Sequence, residues 1–235
     1  MDEPPVAADA PTMRFPQGPP IDLAQAARNF FHFPSPYVYT TMGAGAWIAR
    51  IVMGGWTWRD PLLAAIVIAL WPLQEWLLHV FILHFKPKVV FGRRIDLLAG
   101  RKHRAHHREP GRPGLIFIPL EIALASVIVL PTAWLLPLKL PLGLTGLATY
   151  YTFALRYEWT HFLIHSTHPP RARRFKKLWL NHRYHHYRNE HFWFGVSMTL
   201  GDKILRTAPD PRTTPVSPTC MTLGVEAELS EAMTP

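Results

Sequence analysis

Residues 61–85 read PLLAAIVIALWPLQEWLLHVFILHF. The run carries one acid, Glu75, no Lys or Arg, and two histidines near its end, His79 and His84. At ~1.5 Å of rise per residue, a helix this long exceeds the ~30 Å hydrocarbon core of a bilayer. It therefore reads as a membrane span. Three further blocks share its character. Tyr37–Trp56 precedes it across a short turn at Thr57–Asp60, and Leu115–Pro137 and Pro141–Ser166 follow, joined by a turn at Lys139. Arg50 lies inside the first of these blocks and is expected to sit near a helix end and snorkel towards water. Pro119 and Pro131 are expected to kink the third block.

The charges lie between the blocks. The formal net charge is +9, and 18 of the 25 Lys and Arg fall in two stretches, 86–112 and 171–206, with nine in each. Both stretches directly follow apolar blocks. That placement favours cytoplasmic loops under the positive-inside rule over a nucleic-acid surface, so no nucleic-acid partner is expected. The predicted fold class is all-α: an integral membrane protein of four transmembrane helices in two hairpins, with a cytosolic helical His-rich cap. An even number of spans puts both termini on the cytoplasmic side.

Outside the blocks the composition changes. Residues 1–20 are rich in Pro and Ala and are expected to be disordered, with no signal-peptide pattern. Ile21–Phe31 predicts a short helix, lying on the membrane surface or serving as an ordinary lead-in. The membrane domain is expected over 21–206, and 207–235, rich in Pro, Thr and Ser, is expected to be a disordered tail. The single cysteine, Cys220, permits no internal disulfide and no multi-thiolate metal site, so any metal must be held by His or carboxylate.

Ten of the 13 histidines fall in four compact groups: His79 and His84; His103, His106 and His107; His161 and His165; and His182, His185 and His186. Helical positions three or four apart share a face, so each triplet can converge, and His161 and His165 lie one turn apart. His79 and His84 are separated by roughly 140° on a regular helix. They either reach different metals or the helix unwinds there. Ten imidazoles exceed the needs of one ion and suit two ions of about five ligands each. A weak duplication is visible too: each hairpin ends in a His pair and is followed by a basic HxxHH stretch. Taken alone, any one group reads as an incidental pair or a solvated loop; the repeated order is what argues for a site. Glu75 and Glu158, each about one turn before a histidine, are expected to accept a ligand's ring N–H, or else to form an ion pair with Arg156 or Arg94.

These motifs resemble the fatty acid hydroxylase and sterol desaturase superfamily. The resemblance runs from about residue 30 to 207 and rests on Glu75–His79 through His84, Arg101–His107, Glu158–His165, and Asn181–Tyr187 with Asn189. Phe194-Gly195-Val196, Gly201-Asp202 and Arg206-Thr207 continue it. It is closest to the fatty acid 2-hydroxylases. The resemblance implies a membrane-bound non-haem dimetal oxygenase, with iron as the metal, zinc able to replace it on purification, and O2 as co-substrate. It implies a membrane lipid as substrate and the ten grouped histidines as metal ligands. Asn181, His191 and Asp202 join Glu75 and Glu158 as residues supporting the ligands from behind. The sequence leaves no room for the cytochrome b5 domain that some relatives carry, so a separate electron donor of cytochrome b5, ferredoxin or reductase type is expected. The location implied is the inner membrane in a bacterium or the endoplasmic reticulum in a eukaryote, with the His cluster facing the cytoplasm. Carotenoid or sterol hydroxylases and desaturases share this arrangement and form the enzymatic alternative. A non-enzymatic membrane metal-binding protein or transporter is the other; it would line its spans with polar residues.

Overall fold

The structure is a computed structural model that describes residues 18–225. The chain enters through α1 (Leu23–Phe30), started by a capping box in which Asp22 and Gln25 satisfy each other's backbone N–H groups. Ala26 and Phe30 are buried against Ile116, Phe117, Phe162 and Leu163, so α1 packs on protein. Next come α2 (Pro34–Met53) and α3 (Arg59–Leu78), and α3 runs on as one π-helical turn, His79–Leu83. A two-stranded hairpin follows, β1 (Lys88–Val90) with β2 (Arg93–Ile95), in which Val90 pairs with Arg93. The all-α expectation missed this hairpin. Its two-residue turn, Phe91-Gly92, has φ of 49° and 72°, the positive pair that a type I′ turn requires.

The remaining helices are α4 (Leu98–Arg108), α5 (Pro113–Ile116), α6 (Leu120–Leu135), α7 (Leu140–His165), α8 (Arg173–Tyr187) and α9 (Leu200–Ile204). Pro119 separates α5 from α6, and Pro131 lies within α6. α7 is the central element and touches α1, α2, α3, α5, α6 and α8. Its contacts are close because its inner face is small. A Cβ on Gly146 would lie 2.3 Å from the Trp134 ring of α6, and one on Gly43 of α2 would lie 3.3 Å from Tyr151 of α7. Small residues that let helices approach are the usual cement where lipid removes the hydrophobic drive between helices.

Two stretches among the described residues are long and apolar enough to cross a membrane, Arg59–Leu83 and Pro113–Leu135. Large apolar side chains stand exposed along α2, α3 and α6, among them Ile48, Val52, Leu62, Leu70, Leu124 and Ile128. Arg50 does not snorkel. It is 0% exposed, ion-paired with Asp60 at 2.8 Å, and bonded to Thr145 and the Gly54 carbonyl. Asp60, in the first turn of α3, meets the guanidinium inside the protein, so the charge is paired without reaching water.

The tail also departs from expectation. Residues 207–225 fold back onto the stretch that follows α8: Ser217 N–H donates to Arg188 O (2.8 Å), Arg188 Nε to Thr214 O (2.8 Å), and Thr219 Oγ1 to Glu190. Thr214, Cys220 and Leu223 are buried. Composition suggested disorder because few apolar residues are present; order here comes from these specific polar bonds. The expectations for 1–17 and 226–235 lie outside the described residues.

Candidate metal centre

The ten grouped histidines converge at one end of the bundle, and they divide in two. His79, His84, His103, His107 and His185 form one pentad; His106, His161, His165, His182 and His186 form the other. Within each, the candidate ligand atoms lie within 4.8 Å of one another. Nitrogens bound to one ion at ~2.0–2.1 Å stand at most about 4 Å apart, so each pentad needs only a slight contraction to close on an ion.

Helix geometry explains the division: the triplets, which by spacing could each converge on one side, are each split two and one between the pentads. On α4, His103 and His107 are four apart and join the first pentad, while His106 turns to the second. On α8, His182 and His186 stay with the second pentad and His185 crosses to the first. Each hairpin pair thus combines with the i,i+4 pair of the helix that follows it, and each triplet lends one ring to the other pentad. His79 and His84 reach the same pentad because the π-helical turn lies between them; His84 N–H donates to His79 O five residues back. Local unwinding, one of the two alternatives read from the spacing, is what occurs.

The ring orientations favour metal binding. His79 Nδ1–H donates to Phe194 O (2.6 Å), His107 Nδ1–H to Cys220 O (2.8 Å), and His185 Nδ1–H to Phe192 O (2.8 Å). In the second pentad, His161 Nδ1–H donates to Ile116 O (2.9 Å). A proton on Nδ1 leaves Nε2 with a lone pair. The inward Nε2 atoms crowd together: His79 to His103 at 3.1 Å, His84 to His185 at 3.1 Å, His165 to His182 at 3.0 Å. His161 Nε2 and both ring nitrogens of His106 are buried with no partner among the described residues, as are Nδ1 of His182 and of His186. An unsatisfied buried polar atom costs roughly 1–3 kcal/mol. Cations among the facing lone pairs would satisfy His161 Nε2 and one nitrogen of His106 and relieve the crowding of the inward Nε2 atoms, so the residues present fit a metal pair. On α4 and α8, burial holds His103, His106, His182, His185 and His186 well below the usual imidazole range, and pushes His107 down to about 3. These rings are neutral near pH 7, as ligation requires.

The acids act one step further back than expected. Glu75 accepts from the backbone N–H groups of Val196 and Ser197, the latter at 2.7 Å, and from Ser197 Oγ and Trp71 Nε1. Glu158 accepts from Ser35 Oγ (2.5 Å) and Ile118 N–H (2.9 Å). Their recorded partners include no imidazole, and Arg156 donates to Ser197 O instead of pairing with either acid. Each fixes the backbone whose nearby carbonyl holds a ring, Phe194 O for His79 and Ile116 O for His161. Asp202 and Asn181 brace the same loop. Asp202 accepts from Phe194 N–H and Gly195 N–H, both at 2.8 Å, and Asn181 Nδ2 donates to Gly195 O. His191 departs from the expected supporting role: its side chain is 63% exposed, with Nε2 3.4 Å from Glu190. His32 and His168 lie outside both pentads, bonded to Arg28 O and Ile21 O. Sequence reasoning missed the carbonyls of Ile116, Phe192, Phe194 and Cys220, because every residue carries one and only the fold selects which is used.

Two cavities border the pentads. One of about 390 Å³ has mostly apolar walls from α3, α5, α6 and α7, including Leu78, Ile82, Ile122 and Val129, and reaches both His103 and His161. From His161 back to Tyr150 on the same wall is 11 residues, or about 16 Å of helix. The other, about 770 Å³, opens beside His165 among more polar residues such as Arg108, Glu109 and Thr167.

A helical bundle with two membrane-length apolar stretches and two buried five-histidine pockets defines a class: histidine-rich helical membrane proteins with room for a metal pair. The chain belongs to the fatty acid hydroxylase family, whose model matches residues 64–207. It is 30% identical over 154 residues to a dihydroceramide fatty acyl 2-hydroxylase of Arabidopsis thaliana, across 63% of this chain and 61% of that protein. It is 31% identical over 143 residues to a fatty acid 2-hydroxylase of Macaca fascicularis, across 60% of this chain and 37% of that protein. The chain therefore matches under two thirds of the length of these relatives. The fold is similar to the hydroxylase domain seen in full-length Scs7p, with a TM-score of 0.62 and 23% identity over 78% of this chain and 68% of that one.

Proposed function

We propose that this chain is a membrane-bound dimetal hydroxylase that inserts one oxygen atom into a lipid acyl chain. The observation that carries this reading is the placement of two histidine pentads beside a mostly apolar cavity that reaches a ring of each. The relatives' names, fatty acyl and fatty acid 2-hydroxylases, support an acyl substrate. The transporter alternative gains no support, since the cavity reaching both pentads is mostly apolar.

His79, His84, His103, His107 and His185 would hold one ion, and His106, His161, His165, His182 and His186 the other. A redox-active pair, iron by family resemblance, supplies the capacity to reduce O2 and oxidise a C–H bond; zinc has no redox chemistry and would support neither. The balance is R–H plus O2, two electrons and two protons, giving R–OH and water. The two electrons would have to be delivered to the pair by a redox donor. The chain's own work is positional. Carbonyls 116, 192, 194 and 220 would fix ring tautomers, Glu158 would fix the backbone presenting carbonyl 116, Glu75 and Asp202 that presenting carbonyl 194, and the apolar walls would align the acyl chain and exclude bulk water.

The proposed topology is four spans, formed by α2, α3 with its π turn, α6 and α7, with the pentads at the cytoplasmic face. Its support is the basic charge at 86–112 and 171–206, on the side where the histidines gather. The test of function is mass spectrometry of lipid extracts from cells with and without this chain. An acyl lipid that gains one oxygen supports hydroxylation. Loss of two hydrogens would identify a desaturase instead, and unchanged lipids would overturn the reading.

A further inference from the structure

The two pentads are not equally supported. Three rings of the first pentad rest on backbone carbonyls, those of Phe192, Phe194 and Cys220. In the second, among the described residues only His161 has such a partner, and the Nδ1 atoms of His106, His182 and His186 are buried without one there. All three carbonyls serving the first pentad lie after α8 in the chain. Two come from the loop within the family match. The third, from Cys220, comes from a segment beyond residue 207, where that match ends.

This segment is anchored at several points. Asn189 Nδ2 donates to Pro215 O (3.2 Å), Arg188 Nε to Thr214 O (2.8 Å), and Ser217 N–H to Arg188 O (2.8 Å). Thr219 Oγ1 donates to Glu190, whose side chain is 2% exposed. Leu223 N–H donates back to Thr219 O (2.7 Å), closing a turn around Cys220. The turn offers the Cys220 carbonyl to His107 Nδ1 at 2.8 Å, and both residues are buried. With the carbonyl accepting, the proton stays on Nδ1 and Nε2 faces the pentad.

We infer that residues 208–225 form a strap that positions His107 and thereby strengthens metal retention by the first pentad alone. This rests on the two-metal reading of the histidines. The strap acts through a backbone carbonyl, so the identity of Cys220 matters little and its turn matters much. An outer partner of a metal-bound His typically changes affinity by ~10–100-fold. Removing the strap should weaken one site by that order and leave the other unchanged.

The test is metal release from purified protein into excess chelator, for the full chain and for a form ending at Thr207. Total metal per chain and helix content are measured alongside. The full chain should hold two ions released in two phases. In the shortened form one phase should accelerate by ~10–100-fold while the other stays within about twofold. Two unchanged phases would overturn the inference, and so would equal acceleration of both, which reports general loosening. A full chain that binds no metal would instead sink the two-metal reading itself. If the shortened form does not accumulate, Thr219→Val in the full chain cuts the anchor to Glu190. It should accelerate the same single phase by a smaller factor, and unchanged release there would equally count against the strap.

Discussion

At the scale of single residues, the histidines were legible and their supports were not. Imidazole is uncommon and its spacing follows helix geometry, so the ten rings could be picked from the sequence, and the structure gathers those ten into two pentads. Which ring joins which pentad was not legible, since the triplets split across both. The carboxylates show the same limit. Glu75 was visible as an acid inside a span, but its partners Val196 and Ser197 lie more than a hundred residues away. Its role is to hold the loop that presents Phe194 O to His79. Glu75→Gln keeps the size but places an amide N–H2 against donors such as Trp71 Nε1–H, 3.2 Å away. Hydroxylation per folded protein should fall ~10–100-fold, the usual cost of losing an outer partner. Full activity in that variant would show that the loop does not need the anion, and the relay from Glu75 to His79 would be abandoned.

At the scale of elements, long apolar blocks declared α2, α3, α6 and α7 from sequence, with boundaries close to those seen. The short pieces were harder. The β-hairpin at 88–95 rests on one turn whose positive φ angles leave little trace in composition, and the π turn appears only as the odd spacing of His79 and His84. The strap at 208–225 was missed because its order comes from polar bonds to a distant loop. Packing between elements is testable at Gly146, where any Cβ would meet the Trp134 ring at 2.3 Å. Gly146→Ala should destabilise the α6–α7 contact by about 1–3 kcal/mol, the usual cost of overpacking. Adding Trp134→Leu should recover much of that loss, read by thermal unfolding in detergent. Additive losses in the double variant would show that the close approach is not what Gly146 serves.

For the whole molecule, charge and pattern combine into an orientation. The net charge of +9 is concentrated beside the pentads, and exposed apolar side chains coat α2, α3 and α6. Topology reporters inserted at Gly92, in the hairpin turn, and fused after residue 235 should both register the cytoplasm, and one inserted at Gly55 should register the opposite side. Opposite sides for the first two would break the four-span proposal while leaving the fold itself intact.

The central claim is that the two histidine pentads together use O2 to oxygenate a lipid. It is tested most directly by supplying 18O2 to iron-loaded membranes containing the chain, with reductant and a donor protein, and analysing the lipids by mass spectrometry. One 18O atom should enter the hydroxylated lipid. His107→Ala in the first pentad and His186→Ala in the second should each reduce labelling to background at equal membrane levels, because the remaining rings of either pentad are fixed by their helices and cannot replace the lost one. His32→Ala, outside both pentads, should label normally. Oxygen derived from water, or undiminished labelling in both the His107 and His186 variants, would contradict the account.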